Sequence, residues 1–434
     1  MMDLKIVFRS MKYRNYRLFF VGQGISLTGT WMQLIALSWL VYRMTNSALL
    51  LGLVGFAGQI PTFILAPIAG VIADRYNRKR LLIITQALAM IQALILAVLV
   101  LSGNIAVWHI VVLSIFLGLV NSFDIPTRHS FVVEMIDSRQ DLGNAIALNS
   151  SLFNAARLIG PSLAGILIAL VGEGACFLIN AISYIAVLVT LTAIRVAPRK
   201  VIMPHKHIFQ ELKEGFVYAF NFTPIKTILF ILALVSLMGV PYQVLMPVFV
   251  RDIFHKGPAT LGYLMAISGA GALIGAIYLA GRKSVIGLSR IIALSSGVFG
   301  IGIIAFGLSK TMLFSMPVIF IVGFAMMVQM AASNTVLQTV VEEDKRGRVM
   351  SMYTMAFMGT MPMGSLMAGG LADKIGAPNT LLIGGACCII GAFMFAGKLQ
   401  ALRKKVRPIY IKKGIIPEVA EGIEAASGLK GLSA

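Results

Sequence analysis

Charge is what this sequence lacks most. Asp, Glu, Lys and Arg make up 12% of its 434 residues, against roughly 25% in soluble domains. A water-soluble globule of this composition would have too little polar surface to cover its core. Cysteine is scarce as well. Cys176, Cys387 and Cys388 include one adjacent pair, which is geometrically poor for bridging, so no disulfide is expected. The five histidines are scattered. His205 and His207 lie in a basic stretch without a nearby Cys pair, so no metal site is expected. No Gly-x-x-x-x-Gly-Lys-Ser/Thr phosphate loop and no nucleophile elbow occur, which argues against ATP drive by this chain and against hydrolase chemistry. Neither a cofactor nor an enzymatic activity is expected.

What is present is apolar: 58% of the residues are hydrophobic, gathered into runs of about 20, the length that crosses about 30 Å of hydrocarbon as a helix. The alternating polarity of β-barrel strands is absent. The chain therefore reads as an all-α polytopic membrane protein. Twelve spans are expected, at approximately 17–42, 48–72, 81–101, 106–127, 142–170, 175–194, 225–248, 259–281, 290–308, 314–338, 348–371 and 379–397. The first apolar run is too long for a signal-peptide core and lacks a small-residue cleavage site, so it is expected to be retained as span one.

The net charge of +20 invites a nucleic-acid reading, which the placement of the charges answers. With residue 1 on the inner side, all but six of the 37 Lys and Arg fall in inner segments. The exceptions are Arg43, Arg251, Lys256, Lys310 and Lys374 in outer segments and Arg157 within a span. This bias is the positive-inside pattern, which puts both termini in the cytoplasm and makes the basic charge a topology signal. Nucleic-acid binding is not expected.

The chain also repeats. A shift of 204 residues superposes Gly143, Gly160, Gly165 and Gly172 on Gly347, Gly364, Gly369 and Gly376, and a shift of 210 places Leu51-Gly52 on Leu261-Gly262. The longest inner loop lies between the copies. The expected organisation is a six-helix half over 1–194, a cytoplasmic linker over 195–224, a second six-helix half over 225–397 and a cytoplasmic tail over 398–434. Ile208, Phe209, Leu212, Phe216 and Phe220 recur at helical spacing among polar residues, as in an interfacial linker helix. The tail from Lys398 is basic and suits contact with anionic lipid.

Between spans two and three stands Gly70-Val-Ile-Ala-Asp74-Arg75-Tyr-Asn77-Arg78-Lys79-Arg80, five charges in seven residues. It resembles the signature loop of the major facilitator transporters. That family's fold is twelve transmembrane helices in two pseudo-symmetric halves, with substrate bound near the midplane between them. The resemblance implies that Gly70, Asp74, Arg75 and Arg78 form a gating latch, with Asp74 near the start of span eleven at Gly347 and Arg348 in the outward-facing state. An acidic group there meets the positive end of a helix dipole. Arg78 would then seek an acidic partner, for which Asp124 is the candidate. Asn77 stands where the family usually has Gly, and Asn is expected to carry left-handed backbone geometry there. The basic residues, Lys79 and Arg80 above all, are explained equally by topology alone.

A second stretch narrows the resemblance. Asn121-Ser-Phe-Asp124-Ile-Pro126-Thr-Arg128, Asn144-Ala-Ile-Ala-Leu-Asn149 and Asn154-Ala-Ala-Arg157-Leu-Ile-Gly160-Pro161-Ser-Leu-Ala-Gly165 are similar to the bacterial branch containing the enterobactin exporter and drug and macrolide efflux proteins. Gly160, Pro161 and Gly165 also resemble the fifth-span signature of exporting antiporters, with Ala156 and Ala164 in place of two glycines. The arginine that the family usually carries midway along span four is missing, so proton coupling through it does not transfer.

Read physically, Asn154, Arg157, Pro161 and Gly165 share a helical face. A charge at membrane depth costs at least roughly 2.5–3.5 kcal/mol, so Arg157 faces protein or water. It serves either transport or a permanent structural pair. Asp124 and Arg128 are four apart and are expected to pair, as a gate or structural contact or with Asp124 carrying a proton, while Pro126 ends or bends the helix between them. Gln33, Gln59, Asn149, Gln329 and Asn334 are candidates to line a cavity, although stripes of small residues around the first two also suit tight packing. The resemblance implies a secondary transporter that exports an amphipathic small molecule, a siderophore or drug-like compound, from a bacterial cytoplasmic (inner) membrane, coupled to protons. An importer or lipid-moving member is the alternative, and the competing class is a membrane scaffold or sensor without transport activity. The partners expected are the substrate and the bilayer, for a monomeric protein.

Overall fold

The computed structural model describes residues 8–196, 216–282, 284–343, 345–413 and 415. Among them there is no strand. The helices, numbered in chain order, are α1 (Arg14–Thr45), α2 (Ala48–Arg75), α3 (Arg78–Leu101), α4 (Val107–Glu134), α5 (Arg139–Val171) and α6 (Glu173–Ala193). The second set begins with α7, which combines Thr223–Met238, Tyr242–Val248 and a π turn Phe249–Ile253. There follow α8 (Pro258–Ala280), α9 (Leu288–Leu308) and α10 (Met312–Val340). Next is α11, made of Arg346–Thr354, a π turn Met355–Gly359 and Thr360–Ile375; α12 is Ala377–Gly397 and α13 Leu399–Lys412.

Among the described residues, eleven helices are long and apolar enough to cross a membrane. The stretch expected as an uninterrupted eleventh span is broken by its π turn into shorter helices. Large apolar side chains stand outward all around the bundle, Leu313 being 84% and Phe393 74% exposed, as a hydrocarbon surround requires.

Packing repeats six helices on. α2 lies on α4 and α8 on α10; α3 lies on α6 and α9 on α12. The halves join through α2 on α11 and, equivalently, α8 on α5. The repeated glycines do the same work in each copy. Gly172 and Gly376 turn α5 into α6 and α11 into α12 at φ 83° and 84°, with ψ 173° and 153°, a region essentially closed to side-chain-bearing residues. Gly160 faces α1 at Thr28 and Trp31, and Gly364 faces α7 at Leu237 and Pro241.

Several expected helix ends move. Pro126 does not end α4, which runs on to Glu134. Proline removes a single backbone donor, and the Thr127 hydroxyl donates to the Phe123 carbonyl at 2.6 Å beside it. Pro161 likewise lies inside α5. α7 instead breaks at Gly239–Pro241. Of the expected interfacial linker helix, residues 208–215 lie outside the described residues; Phe216 stacks on Phe220 with ring centroids 4.2 Å apart. The tail begins as α13, which buries Leu402, Val406 and Tyr410 and ties Lys405 to Thr223 and Lys413 to the Thr339 carbonyl.

The two ends of the bundle differ. At the end carrying Arg14, called proximal here, Asp141 gathers Arg9, Lys12 and the Tyr13 hydroxyl; its hydrogen bond raises the Lys12 pKa above the ordinary lysine value. At the opposite, distal end the halves are in contact. A methyl group on Gly369 would sit 2.5 Å from the Ala48 carbonyl and 3.0 Å from Gly52 Cα. One on Gly262 would sit 2.4 Å from the Pro161 carbonyl and 2.9 Å from Gly165 Cα. Gly52→Leu or Gly262→Leu is therefore expected to lower the thermal midpoint of the purified protein, at a cost of about 1–3 kcal/mol for overpacking. Gly143→Ala, where nothing lies within 4 Å, should leave the midpoint unchanged.

Candidate functional site

Asp124 lies on α4 and is nearly fully buried. Its Oδ2 accepts from Arg128 Nη2 at 2.6 Å, one helical turn away. Its Oδ1 accepts from the Thr85 hydroxyl at 2.9 Å and from Gln86 Nε2 at 2.7 Å, both on α3. Arg128 also reaches Gln23 Oε1 of α1 at 3.3 Å. The opposite amide atoms, Gln23 Nε2 and Gln86 Oε1, are buried without partners. Both residues line a cavity of ~30 Å³ together with Ser26, Thr30 and Tyr184. The lining mixes these polar groups with Leu27, Ala89 and Val120, and the space suits a water molecule or two. A donor and an acceptor facing one such cavity can be satisfied together by bridging water.

The Arg78 contact differs from expectation. Its Nη1 meets Glu134 Oε1 at 2.8 Å and the Ser130 carbonyl at 3.4 Å, both on α4, while its Nε meets the Ala73 carbonyl at 3.2 Å. The carboxylate it finds is one that reaches the end of α4, whereas Asp124 lies about three turns deeper and is engaged by Arg128. Asn77 takes φ −64° and ψ 110°, extended rather than left-handed. It acts as the N-cap of α3, its side chain accepting from Arg80 N at 3.0 Å, a role in which Asn is among the best residues. Lys79 reaches the Thr192 and Ile194 carbonyls at the end of α6, where a cation complements the helix dipole. Gly70 and Gly347 each have open space at the Cβ position. Asp74 lies in the last turn of α2, next to exposed Arg75, and Arg348 in the first turn of α11.

Gln33 is no cavity residue. It is 3% exposed, donates to Gln92 Oε1 at 3.0 Å and accepts from Asn180 Nδ2 at 2.7 Å. Those bonds tie α1, α3 and α6 together. Gln59 bonds back to Gly55, and Asn154 to Ser150, within their own helices. Asn149 is half-buried. Asn334 accepts from Gln338. Gln329 is fully buried with neither amide atom partnered.

Arg157 is half-buried on α5 with its guanidinium 5.7 Å from the centre of the Trp31 ring of α1. Among the described residues it has no ion pair. A cation over a part-buried indole gains roughly 0.5–2 kcal/mol, which offsets part of its burial and leaves its donors for another group. One turn on, Pro161 and Gly165 form the α5 side of the crossing with α8. Gly160, Pro161 and Gly165 are thus contacts within and between halves.

Sequence reasoning missed Gln23, Thr85 and Gln86. Each is a polar residue in an apolar span, Thr85 and Gln86 side by side, and that was the available signal. Asp124→Asn leaves Arg128 without its carboxylate partner, and breaking a buried pair costs about 3–5 kcal/mol. The thermal midpoint should fall clearly, and Asp124→Asn with Arg128→Gln should recover part of the loss. A double variant as unstable as the single one would show that the pair does not act as a unit.

Comparison with known proteins follows from this geometry. The family model described as transmembrane secretion effector matches residues 7–428. The chain is 28% identical over 400 residues to the staphyloferrin A transporter of Staphylococcus aureus, covering 89% of this chain and 97% of that one. It is 22% identical to macrolide efflux protein A of Streptococcus pyogenes, with 87% and 95% covered. It is 26% identical to the multidrug efflux pump Tap of Mycolicibacterium fortuitum, with 82% and 88% covered. Among solved structures, the nucleoside transporter NupG superposes with a TM-score of 0.70 at 13% identity, covering 88% of this chain and 98% of that one. A bacterial homologue of the iron transporter ferroportin, in its inward-facing state, gives 0.67 at 17%, with the same coverage; at such identities the likeness is one of fold. The halves joined by two equivalent crossings and the match along nearly the whole chain lead to one assignment: the protein is a multi-pass membrane transporter of the transmembrane secretion effector family, within the major facilitator superfamily.

Proposed function

We propose that this chain exports an amphipathic small molecule, a siderophore or drug-like compound, across the bacterial cytoplasmic membrane by alternating access coupled to protons. Its working unit is one chain, with halves at 1–194 and 225–397, a linker at 195–224, a cytoplasmic tail from 398, and α11 as the twelfth crossing helix. The observation that carries this reading is the unequal closure of the two ends. The distal end is sealed by backbone crossings and polar contacts between halves, whereas the proximal Gly70 and Gly347 face open space. The excess of Lys and Arg in proximal segments supports placing that end, with both termini, in the cytoplasm. In this reading the proximal end is the inward one, from which substrate loads.

Within that frame Arg157 and Trp31, on helices flanking the contact between halves, are the substrate-facing pair. The aromatic face and the guanidinium suit an amphipathic ligand with an acceptor group. Asp124 is the proton site. Protonation removes the charge that holds Arg128, and of these two contacts the one to Gln23 on α1 then remains. The efflux relatives support the direction of transport, and the siderophore and macrolide relatives support the cargo class.

Everted vesicles test the reading. Adding a macrolide or a siderophore should dissipate a pre-formed proton gradient, read by dye fluorescence. Arg157→Ala should weaken the response at least about tenfold, and Asp124→Asn should abolish coupling while leaving any substrate binding. A broad panel that neither perturbs the gradient nor accumulates would exclude proton-coupled export of these compounds. Normal transport by Arg157→Ala and Arg157→Lys would remove Arg157 from the mechanism.

A further inference from the structure

The end of α11 reads Ala368-Gly369-Gly370-Leu371-Ala372-Asp373-Lys374, and the end of α2 reads Ala69-Gly70-Val71-Ile72-Ala73-Asp74-Arg75. Four positions are identical, Ile72 aligns with Leu371, and Arg75 aligns with Lys374. The two stretches end helices that cross each other, and they sit at opposite ends of the bundle, one proximal and one distal.

The distal copy is engaged in this structure. Asp373 Oδ1 accepts from Ala48 N at 2.7 Å and from Leu49 N at 3.1 Å, and Oδ2 accepts from the Ser47 hydroxyl at 3.0 Å. The Ser47 hydroxyl in turn accepts from Leu50 N at 3.2 Å. The first amides of α2, which have no partner within their own helix, are thus satisfied by a carboxylate from the opposite half. That carboxylate also sits at the positive end of the α2 dipole. Directly below, Gly369 is in backbone contact with Ala48 and Gly52. Beside it a second C-half carboxylate, Asp252, accepts from the Tyr42 hydroxyl, and Arg251 donates to the Tyr42 carbonyl at 3.1 Å. At the proximal end Lys345, the N-cap residue of α11, makes no side-chain cap hydrogen bond, and Gly347 has open space at its Cβ position.

We infer that the chain carries two latches of one design, and that the Asp373 carboxylate, capping α2 from the other half, is the latch that holds the distal end shut. Opening the distal end withdraws Asp373 from Ser47, Ala48 and Leu49. Closing the proximal end offers Asp74 to the start of α11. The two cap contacts exchange as the halves rock, so neither helix start need lose its cap without the other gaining one. This inference rests on the alternating-access reading, and the experiment separates the two.

The test uses full-length protein in lipid nanodiscs, with the three cysteines replaced and spin labels at Met44 and Lys256, exposed distal positions on opposite halves. Pulsed electron-electron distances report the distal-open fraction. Asp373→Asn keeps the size and loses the charge; it should raise that fraction at least threefold over the parent. Ser47→Ala, which removes one of three donors, should shift it the same way by less, and stands in if the first variant does not fold. Gly52→Trp, a steric wedge at the crossing, serves as the control that forces the distal end apart. If the wedge opens the distal end and neither Asp373→Asn nor Ser47→Ala changes the distances, the latch is overturned while alternation stands. If the wedge too leaves a single short distance, alternation fails and the latch with it.

Discussion

Where α2 crosses α11 and α5 crosses α8, backbone meets backbone. Gly52 faces Gly369 and Gly262 faces Gly165, and at each crossing a single added methyl group would meet carbonyl oxygen at 2.4–2.5 Å on at least one side. In hydrocarbon there is little hydrophobic force to press helices together, so close van der Waals approach has to supply the attraction. Other features at the distal end depend on that approach. Asp373 reaches the amides of α2 because Gly369, one turn before it, lets the helices touch. Pro161 can present its carbonyl to α8 because Gly262 leaves room.

The glycine pattern explains how much of the fold was legible. Gly160 and Gly364, Gly165 and Gly369, and Gly172 and Gly376 recur at one spacing because each pair has the same geometric duty, and steric demands of that kind are written into residue identity. The six-helix repeat and the membrane placement were therefore readable. Helix ends were less so. Pro126 and Pro161 lie inside continuous helices, because one missing donor is tolerated when the rest of the turn is held by packing. Gly239–Pro241, unremarked in the sequence, does interrupt α7.

The candidate site was readable as residue types and poorly readable as partnerships. Asp124 and Arg128 pair because four-residue spacing on a helix dictates it. Arg78 finds Glu134 because both lie at helix ends on the same level, and level within a bundle depends on the offset of one helix against another. Gln33 resembles a cavity residue in one dimension but is consumed by Gln92 and Asn180, whose approach is a tertiary fact. Asp252 and Asp373 went unnoticed because they sit at span boundaries, where a hydropathy reading expects polar residues and asks nothing more of them.

The halves share a backbone design but divide the chemistry. Gly118 of α4 lies against the Gly58 carbonyl of α2, and Gly323 of α10 against the Ser268 carbonyl of α8, which makes positions 205 apart equivalent on these two helices. Asp124 then corresponds to Gln329 and Arg128 to Ser333. Both sites are buried, polar and one turn long. In the first half the pair is ionised and bound by Thr85, Gln86 and Gln23. In the second it is a neutral amide and a hydroxyl whose side-chain polar atoms have no protein partner. The shape is thus duplicated, while at these two positions a carboxylate and a guanidinium stand in the first half and an amide and a hydroxyl in the second. The packing frame that the halves share therefore does not depend on the ion pair.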